Sequence, residues 1–480
     1  MKTTMDSRSN QLITLLACLL LFIGIGRIFS LVMHNPVLGY ANNYDMIRLQ
    51  ACHQIWPSDR IVNITAGTPA APLRRYTLDK HVDTPCFPSS ELLFTSIGIE
   101  AGKLKNLVTG EVLISIKTIG LVRAIFLAMT AMLISLYFYK RQMYAALLAN
   151  GLIVAVALSD PGITLYFNTF YTEFSAVYFL YLALFGIIVL AAGRWHVSSS
   201  VLLLLGLLGL GFSKPLHMPL ALCIGILLAV YSVTQREWKT APALLLCAFM
   251  PILLQASGHF EPRNDSMIRV NKVNLAGSML GISNEPERLL TDLGLPDTCK
   301  AIAGKNGYDQ DIQRNNVCPE LNKTSNLTFT SAFIKNPSLL AKFIKAALQQ
   351  QKNWVFDLYG QVEHGRFELV NRYKRTMIDA IRTLPDAALY WLAIFSILLP
   401  ILTAVKDKLS NGKISAAGSY LLLLVFLQWV VVGAAILESG LMGLGKNIHL
   451  YTPLLICEAV LFLVFAMCKF IFHKKAEQPI

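Results

Sequence analysis

Apolar residues are grouped along the chain into ten long runs, separated by shorter polar stretches. A helix needs about 20 predominantly apolar residues to cross a hydrocarbon core about 30 Å thick. The runs cover residues 12–33, 115–138, 143–158, 173–193, 198–213, 217–234, 241–257, 387–405, 414–436 and 450–472. We therefore predict a polytopic all-α membrane protein with about ten transmembrane helices.

Two polar segments are too long to be simple connections between helices. Residues 35–114 follow the first run and residues 258–386 follow the seventh, so the two segments lie on the same side of the membrane. The predicted organisation is an N-terminus (1–11), a first helix with its outer end (12–34), a first large loop (35–114), helices 2–7 (115–257), a large loop domain (258–386), helices 8–10 (387–472) and a C-terminus (473–480).

The distribution of positive charge predicts the orientation. Short cytoplasmic loops of membrane proteins collect Lys and Arg, whereas long translocated segments do not follow that rule. With the N-terminus inside, the short external loops carry only Lys214 and Lys446. The opposite side carries Lys2, Arg8, Lys140, Arg141, Arg194, Arg236, Lys239, Lys406, Lys408, Lys413, Lys469, Lys474 and Lys475. We expect both termini in the cytoplasm and both large loops on the extracytoplasmic side.

Composition excludes several other classes of protein. Hydrophobic residues make up 54% of the 480 and charged residues only 15%, against about 25% charged residues in soluble proteins. A soluble globule this apolar would lack the polar residues to cover its surface. The net charge of +13 would suggest nucleic acid in a soluble protein, but cytoplasmic loops account for it here. We expect no nucleic-acid partner.

The cysteines indicate two disulfides. Five of the nine lie in apolar runs, and the other four fall two in each large loop. In an oxidising compartment the simplest arrangement pairs Cys52 with Cys86 and Cys299 with Cys318. Four free thiols stay open as the alternative, whereas the spacing does not indicate a zinc site.

The first candidate site follows the first apolar run, in the stretch NNYDMIR. A carboxylate at the apolar boundary, Asp45, is partly desolvated, which raises its basicity and suits it to abstract a proton. Arg48 would share a helical face with Asp45 if the stretch is a helix. Asn43 and Tyr44 are candidate substrate-binding residues. The alternative is a loop ion pair that holds the first large loop.

The second candidate site is the stretch YFNTFYTEF, between the third and fourth runs. Glu173 stands where the next apolar run begins, at a depth where a carboxylate needs a partner or a function. Asn168 and Tyr171 precede it and are candidate substrate-binding residues. The alternative is an aromatic belt with Glu173 as a helix N-terminal acid favoured by the helix dipole, which does not explain Asn168 and Glu173 together.

Two basic corners form the third candidate site. Lys214 and His217 lie in the turn SKPLH, and Lys446 and His449 lie in KNIHLY before the last run. External lysines run against the inside bias, and a phosphate at headgroup depth would account for them. The alternative is ordinary lysines that reach lipid phosphates.

Arg27 and Arg123 fall inside the first two predicted helices. Arginines within a membrane are functional candidates by default. The alternative is that these helices end one turn earlier.

The layout and four short motifs resemble the GT-C glycosyltransferases, polytopic enzymes that take a sugar from a polyprenyl-phosphate carrier. NNYDMIR and YFNTFYTEF occupy the places of that superfamily's first-loop and second-loop acidic motifs. With SKPLH and KNIHLY, they look most similar to the WsfD-type hexose transferases of bacterial glycan biosynthesis. The sequence departs from the family pattern at Thr169, where a Ser is expected, and lacks an Asp-x-Asp pair in the first loop. The serotype-converting glucosyltransferases of O-antigen share the size and span number.

The resemblance implies a hexosyltransferase of the bacterial inner membrane whose active site faces the exterior. Asp45 would accept the proton of the acceptor hydroxyl with inversion at the anomeric carbon, and Glu173 would be the second catalytic residue. Lys214, His217 or Lys446 would stabilise the departing phosphate. The implied partners are a polyprenyl-phosphate-linked sugar, a glycan or lipid-linked glycan acceptor and membrane lipid. A divalent cation, Mg²⁺ or Mn²⁺, stays open as a cofactor.

Two other function classes stay open. An O-antigen polymerase or ligase shares the many spans and the large external loop, but usually relies on paired external arginines and lacks an early first-loop acid. A lipid-linked glycan transporter predicts short loops on both sides, against which the two large loops argue.

Overall fold

The computed structural model describes residues 7–41, 44–58, 71–78, 81–82, 84–191, 197–234, 240–258, 265–350, 352, 360–363, 368–370 and 376–476. Helices dominate these residues, and one small sheet lies in the first large loop. The described part of the chain is therefore largely the all-α protein that the apolar runs predict.

The N-terminal region contains α1 (Ser7–Val32), α2 (Tyr44–His53) and α3 (Leu92–Thr109). Between them lies an antiparallel sheet of β1 (Trp56–Pro57), β2 (Arg75–Thr77) and β3 (Ile114–Ser115), in the order β1-β2-β3. In its register Trp56 faces Thr77 and Tyr76 faces Ile114. Because β3 runs directly into the next helix, the sheet ties the first large loop to the helical bundle.

The central region consists of apolar helices joined by short segments. They are α4 (Ile116–Lys140), α5 (Tyr144–Ile153) with a π-helical turn (Val154–Leu158), α6 (Pro161–Thr164), α7 (Glu173–Ala191), α8 (Val197–Gly211), a 3₁₀ turn (Pro215–His217), α9 (Met218–Thr234) and α10 (Ala241–Ala256). Helix α7 packs closely on α8. A Cβ at Gly209 would lie 2.2 Å from the Phe179 ring, so this contact requires glycine.

The large loop domain is helical. It contains α11 (Asp265–Ile282), α12 (Pro286–Leu293), 3₁₀ turns at Asp297–Ile302 and Pro319–Lys323, α13 (Gln310–Arg314), α14 (Asn326–Lys335), α15 (Pro337–Gln350) and α16 (Thr376–Thr383). The C-terminal region has α17 (Asp386–Asn411), α18 (Ala416–Ser439), α19 (Leu444–Asn447) and α20 (Tyr451–Ala476). Helix α11 packs on α18, which joins the domain to the bundle.

Each of the ten predicted runs coincides with an apolar helix. Among the described residues, five helical stretches are long and apolar enough to cross a membrane: Arg8–Val32, Ile116–Lys140, Pro215–Thr234, Asp386–Ser410 and Ala417–Ser439. The other five runs form shorter apolar helices. The membrane-spanning character is thus supported, while the count of ten spans and the two-sided layout stay predictions.

The two large loops meet just before α2. Residue Leu38 forms an antiparallel bridge with Val362. Gly39 N donates to Gln361 O at 3.1 Å, and Ala41 N donates to Gly360 O at 2.8 Å. The large loop domain therefore contacts the short segment of the chain that precedes α2 and Asp45.

Candidate functional site

Asp45 lies in the first turn of α2, where a carboxylate is favoured by the helix dipole. Its side chain is 42% exposed and forms an ion pair with Lys446, which lies in α19 and is 18% exposed. Arg48 follows on the same helix, as the spacing predicts. Asn43 lies outside the described residues, as does the side chain of Tyr44.

Three tyrosine rings pack against one another, and one of them contacts Lys446 of this ion pair. The Lys446 amine lies 4.9 Å from the centre of the Tyr171 ring, a distance at which the ring face attracts a cation. The ring centres of Tyr40 and Tyr166 are 5.0 Å apart, and those of Tyr166 and Tyr171 are 6.0 Å apart. Because all three rings are buried, they form an aromatic wall behind the ion pair.

Glu173 is the first residue of α7 and is 1% exposed. The Lys214 amine lies 3.8 Å from its Oε1 atom. Lys214 immediately precedes the 3₁₀ turn Pro215–His217, which places the basic corner of SKPLH against the acid of the second stretch. The second and third candidate sites are thus one cluster.

His217 and His449 bring the two basic corners together. Their ring centres are 5.2 Å apart, and the His449 ring lies 6.1 Å from that of Tyr166. The Nδ1 atom of His217 lies 2.8 Å from Ser213 Oγ, and that of His449 lies 3.2 Å from Lys446 O. Burial, with the nearby charge of Lys214, lowers the pKa of His449 to about 3, so this ring is neutral at physiological pH.

Burial also lowers the pKa of the Lys446 amine to about 7. The Asp45 carboxylate opposes this shift because it favours the charged amine. The protonation state of Lys446 therefore depends on the balance between its burial and the negative charge of Asp45.

An apolar groove of about 750 Å³ lies between α3, α4, α7, α8 and α10, and one of its lining residues, Phe212, directly precedes Ser213 and Lys214. Its end nearest the cluster is lined by Ser89, Ser90 and Phe212. Ser89 Oγ donates to Ser213 O at 2.7 Å, which fixes this end to the turn that carries Lys214. The rest is lined mainly by aliphatic and aromatic side chains, with Thr130 as a polar residue among them.

The comparisons with known proteins give one family. A family model described as the YfdI N-terminal transmembrane domain matches residues 2–478. The chain belongs to this family. No curated protein and no solved structure matches it. The family and the apolar helices together make this a membrane protein, as the sequence predicts.

In this member of the YfdI N-terminal transmembrane domain family, the predicted site residues are distributed as follows. The contacts described above bring seven of them into one cluster: Asp45, Tyr171, Glu173, Lys214, His217, Lys446 and His449. Arg48 lies on the same helix as Asp45.

Asn168 has a structural role, and its role in substrate binding stays a prediction. It is 2% exposed, and its Nδ2 donates to Val32 O at 3.0 Å and to Leu38 O at 2.8 Å. With both amide hydrogens engaged, it ties the end of α1 to the second stretch. No sequence signal distinguishes such an asparagine from one that binds a sugar.

A buried ion pair that the sequence analysis did not foresee holds the second stretch in place. Arg123 on α4 pairs with Glu91 at 2.8 Å, and both side chains are fully buried. Its Nη1 donates to Thr169 O at 2.7 Å and to the carbonyls of Tyr166 and Phe167. Glu91 in turn accepts from Ser175 N at 2.7 Å. The sequence marks Arg123 as a functional candidate because it lies inside a predicted membrane helix. Nothing in the sequence marks Glu91 as its partner.

The structure joins Cys52 to Cys86 and Cys299 to Cys318. Cys52 belongs to α2, so the first disulfide anchors the helix of Asp45. Among the described residues, Cys299, Cys318 and Glu320 form the one group of His, Cys, Asp or Glu close enough to share a metal. Its sulfurs are bonded to each other, so this group is a disulfide beside a carboxylate and not a metal centre.

Proposed function

We propose that the protein is a GT-C-type membrane glycosyltransferase, most similar to the WsfD-type enzymes. It transfers a hexose from a polyprenyl-phosphate carrier to a cell-surface glycan acceptor, with inversion at the anomeric carbon. The observation that carries the proposal is the cluster of two acid–lysine pairs, Asp45 with Lys446 and Glu173 with Lys214. These residues come from four separate parts of the chain, and no packing requirement asks for two buried or half-buried cations at one place.

We assign different roles to the two acids on the basis of their exposure to solvent. Asp45 is 42% exposed and can be approached by an acceptor from solution, whereas Glu173 is only 1% exposed. Asp45 is therefore the general base. It takes the proton of an acceptor hydroxyl as the acceptor oxygen bonds to the anomeric carbon.

The same step breaks the bond between the anomeric carbon and the phosphate oxygen. The electron pair of that bond leaves with the polyprenyl phosphate, which gains negative charge. Lys446 and Lys214 supply fixed positive charge for this anion, and such preorganised charge is a large part of catalysis in buried sites. Glu173 keeps Lys214 in place through their ion pair.

The apolar groove supports the proposal that the sugar donor is carried on a lipid. It extends along α4 from Phe126 to Tyr137, which is about 16 Å of helix at 1.5 Å rise per residue. Its end at Ser89 and Ser90 adjoins the turn of Lys214. A chain in the groove would bring its phosphate to the lysines, as a polyprenyl phosphate requires.

We further propose that the enzyme lies in a bacterial inner membrane, with cytoplasmic termini and the cluster facing the exterior. This follows from the charge distribution along the chain. A divalent cation beside the donor phosphate stays open.

Turnover of donor lipids by the purified protein tests the proposal. The protein, in a detergent without a sugar head group, is incubated with a panel of polyprenyl-phosphate hexoses and a lipid-linked glycan, with and without Mg²⁺ or Mn²⁺. We expect release of free polyprenyl phosphate from at least one donor, and no release of nucleoside diphosphate when nucleoside diphosphate sugars replace the lipid donors. If no donor is consumed under any condition, the transferase assignment is wrong and the transporter and ligase alternatives gain.

A further inference from the structure

One acid and two histidines of the cluster are buried, each with a polar atom that has no hydrogen-bond partner among the described residues. The atoms are Oε2 of Glu173, Nε2 of His217 and Nε2 of His449. The three residues are 1%, 3% and 2% exposed. Buried polar atoms in folded proteins almost always have a hydrogen-bond partner, so these three point to a ligand.

The hydrogen bonds on the other side of each ring decide what kind of partner the histidines need. The Nδ1 atom of His449 faces Lys446 O, and a carbonyl oxygen can only accept, so Nδ1 carries the proton. Ser213 Oγ donates its single proton to Leu210 O at 2.6 Å, so it accepts from Nδ1 of His217. In the neutral ring Nε2 is then a bare lone pair.

The surroundings of His449 keep its ring from gaining a second proton. Burial and the charges of Lys214 and Lys446 lower the pKa of His449 to about 3. The Lys214 amine lies 3.8 Å from Glu173 Oε1 and favours the ionised form of this carboxyl. Both Nε2 atoms and the carboxylate oxygen are therefore hydrogen-bond acceptors.

A phosphate fits such a set of atoms poorly, because its oxygens are themselves acceptors. Hydroxyl groups fit well, since each donates one hydrogen bond. The nearby rings of Tyr166 and Tyr171 offer faces for the C–H surface of a sugar.

We propose that Glu173, His217 and His449 form a hydroxyl-recognition subsite that holds the hexose of the donor. The inference rests on the proposed function, and it moves His217 from the phosphate to the sugar. The donor hexose is favoured over the acceptor because these atoms are buried, whereas the acceptor approaches through the exposed Asp45. The subsite selects the sugar by its pattern of hydroxyls, so a donor lacking one of them is rejected.

The test measures binding of free sugars, which does not depend on turnover. Saturation-transfer NMR in a zwitterionic detergent compares the methyl glycosides of glucose, galactose and mannose with their monodeoxy analogues. We expect one hexoside to bind, and loss of one of its hydroxyls to weaken binding about tenfold or more. His217→Phe, His449→Phe and Glu173→Gln are expected to weaken it to a similar degree.

Two further variants control this experiment. His81→Phe changes an exposed histidine of the first large loop and is expected to bind as the parent does. His449→Gln offers an amide oxygen as acceptor and is expected to bind more tightly than His449→Phe. Thermal unfolding identifies any variant that fails to fold, and the deoxy sugars test the parent protein regardless.

The inference is wrong if the parent binds none of the hexosides, or if the variants bind as the parent does, which would mean that water alone fills this space. It is also wrong if the histidine variants lose binding of inorganic phosphate instead of sugar. Donor turnover with hexoside binding unaffected by the variants overturns this inference alone. Hexoside binding that depends on the three residues, without turnover of any donor, overturns the proposed function alone.

Discussion

At the scale of single residues, the local environment gives different properties to side chains that look equivalent in the sequence. Asp45 and Glu173 are both acids at an apolar boundary, but only Asp45 is accessible. Lys446 and Lys214 each pair with one of these acids, yet burial lowers the pKa of Lys446 to about 7. These differences follow from contacts between distant parts of the chain.

The lowered pKa of Lys446 predicts a pH dependence of donor use. Above this pKa the amine loses its charge, so binding of the anionic donor weakens and the KM for the donor rises as the pH passes about 7. A guanidinium stays charged at any of these pH values. Lys446→Arg is therefore expected to move this limb of the kcat/KM profile to higher pH, as steady-state kinetics between pH 5 and 9 would measure.

Lys335→Arg is the matched control, because Lys335 forms an exposed ion pair with Asp292 in the large loop domain. Its profile should follow that of the parent. An unchanged limb in Lys446→Arg would show that another group titrates there.

Position relative to the apolar runs was sufficient to select Asp45, Glu173, Lys214 and Lys446, because charges at such boundaries need a reason. Which acid pairs with which lysine could not be predicted, since that depends on how four distant segments pack. Asn168 shows the limit most clearly. Its residue type suits a sugar ligand, and only the carbonyls of Val32 and Leu38 reveal its structural role.

At the scale of the helices, the ion pair of Arg123 and Glu91 connects α4, the start of α3 and α7. Burial raises the pKa of Glu91, and the charge of Arg123 opposes that shift. Removal of one partner from a buried pair costs about 3–5 kcal/mol, because the other charge stays buried alone. Arg123→Met or Glu91→Met should lower the free energy of unfolding by that amount, and the double variant by less than the sum.

Chemical denaturation of the four proteins measures this cycle. Lys103→Met breaks an exposed pair with Glu100 and serves as the control, with an expected loss below about 1 kcal/mol. Additive losses in the cycle would contradict the coupling of Arg123 and Glu91.

The helices that the sequence predicts well are the apolar ones. The ten runs mark ten helices because continuous apolar stretches have few other solutions in a membrane. Helix α3 was missed inside the predicted first loop. Glu100, Lys103 and Lys105 interrupt its apolar pattern, and its packing on α4 decides its structure.

At the scale of the whole molecule, the ten-span layout predicts that the two ends of α17 lie on opposite sides of the membrane. The test uses a variant without Cys18, Cys223, Cys247, Cys457 and Cys468. Ser331→Cys places a single cysteine in the large loop domain that precedes α17, and Ser410→Cys places one at the C-terminal end of α17; both positions are exposed. An impermeant maleimide should label Ser331→Cys in intact spheroplasts and Ser410→Cys only after permeabilisation. The reverse pattern, or labelling of both from outside, would contradict the layout.

The central claim concerns Asp45 as the base of a glycosyl transfer. The most direct test compares polyprenyl phosphate release by the parent, Asp45→Asn and Asp311→Asn, with thermal unfolding as a check on folding. Asp311 is also a first-turn helix acid, but it lies exposed in the large loop domain. Our account predicts that Asp45→Asn lowers kcat about a hundredfold or more and that Asp311→Asn has no effect. A parent that turns over donor while folded Asp45→Asn keeps the same rate would show that the base lies elsewhere.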